Sequence, residues 1–233
     1  MTYDAVVFGA HPDDAEMGMG GTIAKLCRAG RRVLLVSLSR GESATHGTQA
    51  ERAQEAAAAA ATLGCDHRLL DFPDTRIEAD VAGRERLMRL LRELRPEIVF
   101  APHHTSRFGH HDGAAHVDHL ATGGLVRDAV KLARMRGIAP ELPAHDVHRL
   151  FYYMVPRDMF PHLLVDVSDE FEVLQRAIQA YASQMAIVRR GTPILDILAA
   201  YRRFYGIAAG CPYAEAFLCE EALRADAETL FRL

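Results

Sequence analysis

The 233-residue chain carries 31 acidic and 27 basic side chains, a net charge of −4, with 49% of its residues apolar and 25% charged. That balance is ordinary for a globular protein and argues against a nucleic-acid or anionic-membrane binder. No apolar run reaches the roughly 18 residues of a membrane span, and Met1-Thr2-Tyr3-Asp4 lacks the basic-then-apolar start of a signal peptide, so a cytoplasmic protein forming one domain over 1–233 is expected.

Tyr3 to Gly9 is a short apolar run ending in Gly-Ala-His, the pattern of a buried first strand with polar groups beyond its end. Helical spacing follows from Glu16 to Ala29 and closes on Gly30. Arg32 to Leu38 predicts a second buried strand, and a polar loop leads to a helix over Thr48 to Leu63 that includes the alanines Ala56 to Ala61. His67 to Asp71 predicts a third strand, Asp80 to Leu94 an amphipathic helix, and Glu97 to Ala101 a fourth strand after the helix-stopping Pro96. Beyond a histidine-rich loop come a helix from Ala114 to Arg136, strand-like runs at His148 to Val155 and Leu163 to Val167, and a helix from Asp169 to Met185. Ala186 to Pro193 interrupts the helical pattern and is the segment expected to be mobile; a helix between Ile194 and Tyr205 and an apolar run at Tyr213 to Cys219 complete the chain.

The alternation of strand and helix implies an α/β fold: a Rossmann-like, mostly parallel sheet with helices on both faces, in three layers. In such sheets the active site lies beyond the carboxyl ends of the strands, where strand order switches. Polar residues after strands one, two and four are therefore expected to meet.

The four cysteines, Cys27, Cys65, Cys211 and Cys219, form no C-x-x-C pair and read as reduced and structural. Of the twelve histidines, His103, His104, His110, His111, His116 and His119 crowd into one segment, which packing alone does not explain. Two motifs supply a reason: His11-Pro12-Asp13-Asp14 at the exit of the first strand, and His116-Val117-Asp118-His119 after the fourth. A catalytic zinc needs three nitrogen or oxygen ligands and an open position, and these segments can supply two histidines and a carboxylate. Adjacent aspartates point different ways, so one can bind metal while the other serves as general base. His116 and His119, three apart, share one helix face, and Asp118 is placed to orient an imidazole through its second nitrogen. Taken singly, each motif has a plainer reading, a helix-capping aspartate or a surface histidine pair. His110-His111-Asp112 is a rival second ligand set of similar composition. A dinucleotide site at Gly18, Gly20 and Gly21 is a weaker alternative, because the strand-to-helix turn is taken by His11 to Asp14; close helix packing is the better use of those glycines.

Gly9-Ala10-His11-Pro12-Asp13-Asp14-Ala15-Glu16, the glycine cluster with Thr22-Ile23-Ala24, and His116-Val117-Asp118-His119 resemble the zinc-dependent N-acetylglucosamine deacetylases of the LmbE or PIG-L type. The similarity extends to Glu51 to Ala56, Pro96 to Pro102 and the Tyr213 to Phe217 ending, and is greatest to the bacillithiol-biosynthesis branch, which deacetylates N-acetylglucosaminyl malate. The resemblance implies that His11, Asp14 and His119 bind Zn2+, that Asp13 is the general base, and that His116, held by Asp118, stabilises the oxyanion. It also implies that Arg52 lies near the substrate, where composition alone would pair it with Glu51 or Glu55 on the helix surface. A small-molecule N-acetylglucosamine conjugate is the implied partner, and a homo-oligomer, trimer or hexamer, is the implied assembly. Val117 stands where the family usually has proline, and the loop from Thr105 to Ala115 is longer than in the bacillithiol branch. Tyr201 does not align securely with the mobile-loop tyrosine of some relatives. Other conjugates, inositol-linked or chitobiose-like, remain open, as do a non-catalytic metal protein and a nucleotide-binding module.

Overall fold

A computed structural model describes residues 2–106, 116–222, 226 and 228. Its strands are β1 (Ala5–Gly9), β2 (Val33–Ser37), β3 (Asp66–Leu69), β4 (Ile98–Pro102), β5 (Arg149–Tyr153), β6 (Leu163–Asp166), β7 (Val188–Arg189), β8 (Thr192–Pro193) and β9 (Ala214–Cys219). The helices are α1 (Asp14–Arg28), α2 (Gln49–Leu63), α3 (Val81–Leu94), α4 (Val117–Ala133), α5 (Phe171–Gln179) and α6 (Ile194–Ala209). Seven strands form one sheet in the order β3-β2-β1-β4-β5-β9-β6, with β7 and β8 making a separate hairpin. Neighbours from β3 through β5 are parallel, and β9 runs antiparallel to both β5 and β6.

Alternation along β1 divides the core. Val6 and Phe8 face one way, packing with Leu87 and Leu91 of α3 and Leu125 and Val126 of α4. Ala5 and Val7 face the other, packing with Met19 and Ile23 of α1 and Ala177 of α5. Both faces of the parallel strands are thus covered by helices, which accounts for their unbroken apolar runs. The strand order switches between β1 and β4, whose carboxyl ends open the crevice that holds the polar motifs.

The structure departs from expectation in two places. The helix over Asp169 to Met185 divides into a 3-10 turn at Ser168–Glu170, α5, and a second 3-10 turn at Ala182–Ala186, because Tyr181 leaves helical geometry to donate its buried hydroxyl to Glu16 Oε1 at 2.8 Å. Within Ala186 to Pro193, Val188 to Pro193 forms a tight hairpin whose turn residues Arg190 and Gly191 have φ of 51° and 82°, both left-handed as a two-residue type I′ connection requires. The alanine-rich α2 packs Ala56 and Ala59 on Tyr181, while its Leu63 packs with Val33 and Leu35 of β2. The proposed start of the fourth helix at Ala114, and His110, His111 and Asp112, lie outside the described residues. The glycine cluster serves packing: a Cβ on Gly18 would lie 2.3 Å from the Tyr153 ring, on Gly20 2.7 Å from Leu174 and on Gly21 2.7 Å from Val167.

Among the described residues no helix is long and apolar enough to cross a membrane.

Candidate active site

β1 ends at Gly9, and the chain turns through His11 and Pro12 into α1. Asp13 sits at the N-cap position yet makes no capping bond; its φ of 106° is left-handed, a conformation costing a non-glycine residue about 1–3 kcal/mol. Arg52, buried on α2, donates from Nη2 to Asp13 Oδ2 at 3.0 Å and also to the Pro12 carbonyl. Arg52 is therefore not a solvated helix residue paired with Glu51 or Glu55: Glu51 closes a capping box with Thr48, and Glu55 accepts from Ser183.

Asp14 points to the opposite side. Its Oδ1 lies 2.9 Å from His119 Nε2 and its Oδ2 3.5 Å from His11 Nδ1, while Oδ2 also accepts from the His11 backbone N–H. His116, at the N-cap of α4, completes the group: the rings of His11, His116 and His119 lie 5.2–5.4 Å apart, with nitrogens within 4.8 Å of one another. One carboxylate and three imidazoles from two strand exits are brought together as the motifs predicted.

Asp118 requires a correction. Its carboxylate does not hold His116. It lies against His11 Nε2 at 3.1 Å and accepts from the Thr75 and Ile77 amides, whereas only its backbone N–H reaches His116, donating to Nδ1 at 3.3 Å. The helix geometry is the reason: an N-cap side chain folds onto the first free amides of its own helix. Asp74, which sequence reading missed, also faces His11 Nε2, at 3.0 Å. It lies buried in the loop beyond β3, and its only signal was a carboxylate past the end of a strand whose exit had been left out of the site.

Burial pushes the Asp13 carboxyl up, with Asp14 adding to the rise and Arg52 opposing it. Asp14 lies well below the usual carboxylate range despite burial, because His119 and His11 hold it ionised. Burial alone would lower His11, but its bonds to Asp118 and Asp14 carry it to about 12. His116 is lowered by burial and by its neighbours His119 and His11.

The group forms the floor of a cleft of about 1330 Å³, whose walls extend to Met154–Arg157, the β7–β8 hairpin and Tyr201 of α6. Tyr201 is not directed at the histidines by any bond the structure shows; its hydroxyl accepts from Arg157.

A family model described as "PIG-L: GlcNAc-PI de-N-acetylase" matches residues 6–130, the span that carries both motifs. The chain belongs to the PIG-L family. It is 30% identical over 220 residues to the diacetylchitobiose deacetylase of Thermococcus kodakarensis, covering 88% of this chain and 78% of that protein. Among solved structures it is similar to the conserved protein TT1542 of Thermus thermophilus (TM-score 0.85, 35% identity, 97% of this chain and 98% of that one). It is also similar to the N,N'-diacetylchitobiose deacetylase of Pyrococcus horikoshii (TM-score 0.80, 27% identity, 93% and 84%). Membership of this family makes the chain an N-deacetylase, an amide hydrolase acting on carbon–nitrogen bonds other than peptide bonds.

Proposed function

We propose that this PIG-L protein hydrolyses the N-acetyl group of an N-acetylglucosamine conjugate, using zinc held by His11, Asp14 and His119. The observation that carries the reading is Asp14, whose two oxygens face one histidine each while Asp13, next in the chain, faces Arg52 on the other side. The donor set fits zinc: two imidazoles and a carboxylate leave a coordination position open. His11 already has its outer nitrogen on Asp118 and Asp74, the arrangement in which a carboxylate fixes a ligating imidazole, and this leaves Nδ1 facing Asp14. Zinc bound there would lower the pKa of water and polarise the acetyl carbonyl.

Asp13 is the general base, accepting the proton of the attacking water; burial raises its pKa to about 7, and Arg52 opposes that rise by favouring the carboxylate. His116 is the oxyanion donor. Because its Nδ1 accepts from the Asp118 amide, the neutral ring carries its proton on Nε2, free to donate to the carbonyl oxygen as charge develops there. Asp118 and Asp74 act through His11 rather than on the substrate. Acetate and the free amino sugar are the products.

N-acetylglucosaminyl malate, the bacillithiol precursor, is the first candidate substrate, supported by the motif resemblance; chitobiose-like and inositol-linked conjugates follow, supported by the names of relatives. The deciding experiment measures zinc content together with acetate release from these conjugates and from N-acetylglucosamine, with and without chelator. One zinc per chain and chelator-sensitive release support the reading. Metal-free protein with full activity overturns it.

A further inference from the structure

α1 is not one continuous helix. Met19, near its middle, has φ of −149° and ψ of 26°, so the helix divides into a single turn over 14–18, which carries Asp14, and a longer piece over 20–28. Such a break strands carbonyls at the end of the first piece and amides at the start of the second, and buried backbone groups need partners. Two side chains from the last third of the chain supply them. Glu215 of β9 accepts from the Gly21 amide at 3.0 Å and, through its other oxygen, from the Thr22 amide at 2.7 Å. Arg202 of α6 donates to the Met17 carbonyl at 2.9 Å and, from Nε and Nη2, to Glu215 Oε1 at 2.9 and 2.7 Å. Both side chains are buried.

The signs of this ion pair fit the broken helix. The carboxylate meets the positive N-terminal end of the second piece, and the guanidinium meets the negative C-terminal end of the first. The first piece is consequently gripped on both sides. Arg52 donates to the Pro12 carbonyl just before it, Arg202 donates to the Met17 carbonyl near its close, and the Met17 amide donates to the Asp13 carbonyl at 2.8 Å. Asp13 makes no side-chain cap for this turn, so its end anchors come from other elements. Between the two arginines lie Asp13 and Asp14, whose carboxylates must face opposite sides of the site.

We propose that Arg202 and Glu215 are positioning residues of the hydrolytic centre: they splice the break in α1 and so fix the turn that sets the directions of Asp13 and Asp14. The proposal rests on the deacetylase reading, which makes those two aspartates the base and a zinc ligand. Arg202 and Glu215 act through backbone and not on substrate. Arginine suits the role because its rigid fork reaches a carbonyl and a carboxylate at once, and glutamate because its two oxygens satisfy two successive amides. Small errors at this point are costly, since a displacement of about 1 Å in a reacting group can lower the rate about 10²-fold.

The test compares R202K, E215Q and R92K with the unaltered protein. Arg92 is the control: it is a buried arginine that also donates to backbone carbonyls, but on α3 and outside the cleft lining. Lysine keeps the charge of Arg202 without its fork, and glutamine keeps the shape of Glu215 while leaving one of the two amides without an acceptor. Each protein is read for zinc affinity by chelator competition, for the absorption spectrum of its Co2+-loaded form, and for kcat and KM of acetate release. All measurements are made at a temperature where circular dichroism shows full folding. R202K and E215Q should each lose about 10–100-fold in zinc affinity and in kcat, with KM little changed and the cobalt spectrum altered, while R92K keeps all four. A fall in kcat with zinc affinity unchanged narrows the positioning to Asp13. Folded R202K and E215Q that retain zinc affinity, spectrum and kcat overturn the proposal, and so does an equal loss in R92K, because the effect then follows stability alone. Zinc-loaded protein that releases no acetate from any conjugate overturns the deacetylase reading, and the zinc affinities and cobalt spectra still decide the role of the splice.

Discussion

Arg52 Nη2 lies 3.0 Å from Asp13 Oδ2, and both side chains are buried, so the proposed general base has a fixed positive charge against it. The pair sets opposing demands. Burial favours the protonated acid, the guanidinium favours the carboxylate, and only the carboxylate can accept a proton from water.

Replacing Arg52 by Gln removes the favouring charge and lets the Asp13 pKa rise further. The acid limb of the kcat/KM profile should then move to higher pH by about one unit or more, as expected for loss of an adjacent opposite charge. Activity should fall more at pH 6 than at pH 8. A profile that keeps its acid limb while losing amplitude uniformly would assign Arg52 to substrate binding alone.

Asp13 offers a second check, since its left-handed backbone is independent of its chemistry. Asp13→Ala should lower kcat by about 10²–10⁴, the usual worth of a general base, with zinc content unchanged. Asp13→Gly should be equally inactive yet more stable than the Ala variant by about 1 kcal/mol, because glycine adopts a φ of 106° without penalty. Thermal melts of the two variants, compared at equal metal loading, decide the point.

His119→Ala should abolish stoichiometric zinc binding, measured by elemental analysis. In the unaltered protein, zinc uptake at pH 7 should release protons, because the carboxylates around His11 hold its imidazole protonated, with a pKa of about 12, until metal displaces the proton. Calorimetric titration in buffers of different ionisation enthalpy measures that release directly. Zinc uptake with no proton exchange would place His11 outside the coordination sphere.

His67 provides a test remote from the cleft. Half-buried on β3 and bonded to Ser37, its imidazole is lowered to about 4 by burial, against 6.5 when exposed. The folded state therefore favours the neutral ring. The stabilisation is fully present above pH 6.5 and is lost as pH falls toward 4, with an upper bound of about 3 kcal/mol. His67→Gln should flatten the dependence of stability on pH in that window, as read by denaturant midpoints.

Much of the fold and the core of the site were legible because local pattern and topology agreed. An apolar strand ending in His11-Pro12-Asp13-Asp14 and a second ending before His116 belong to adjacent parallel strands, and alternation of strand and helix is enough to place both exits on one edge of the sheet. What escaped was set by distant contacts. β9 enters antiparallel between β5 and β6, a pairing no local periodicity announces. Tyr181 breaks its helix to reach Glu16, 165 residues away in the chain. Asp74 reaches His11 from a loop with no strand or helix periodicity of its own. Arg92 reads as a surface residue of an amphipathic helix, yet it is buried and donates to backbone carbonyls from Leu132 to Leu142, fastening the end of α4.

The cleft draws its floor and its outer wall from different parts of the chain. The residues proposed for chemistry and their charge partners come from positions 11 to 119, within the span the family model recognises, whereas Arg157, Arg189, Arg190 and Tyr201 come from the later part, which it does not. Selection can therefore act on the two parts separately. Substitutions between 154 and 201 can reshape the outer wall of the cleft without touching any residue proposed for hydrolysis.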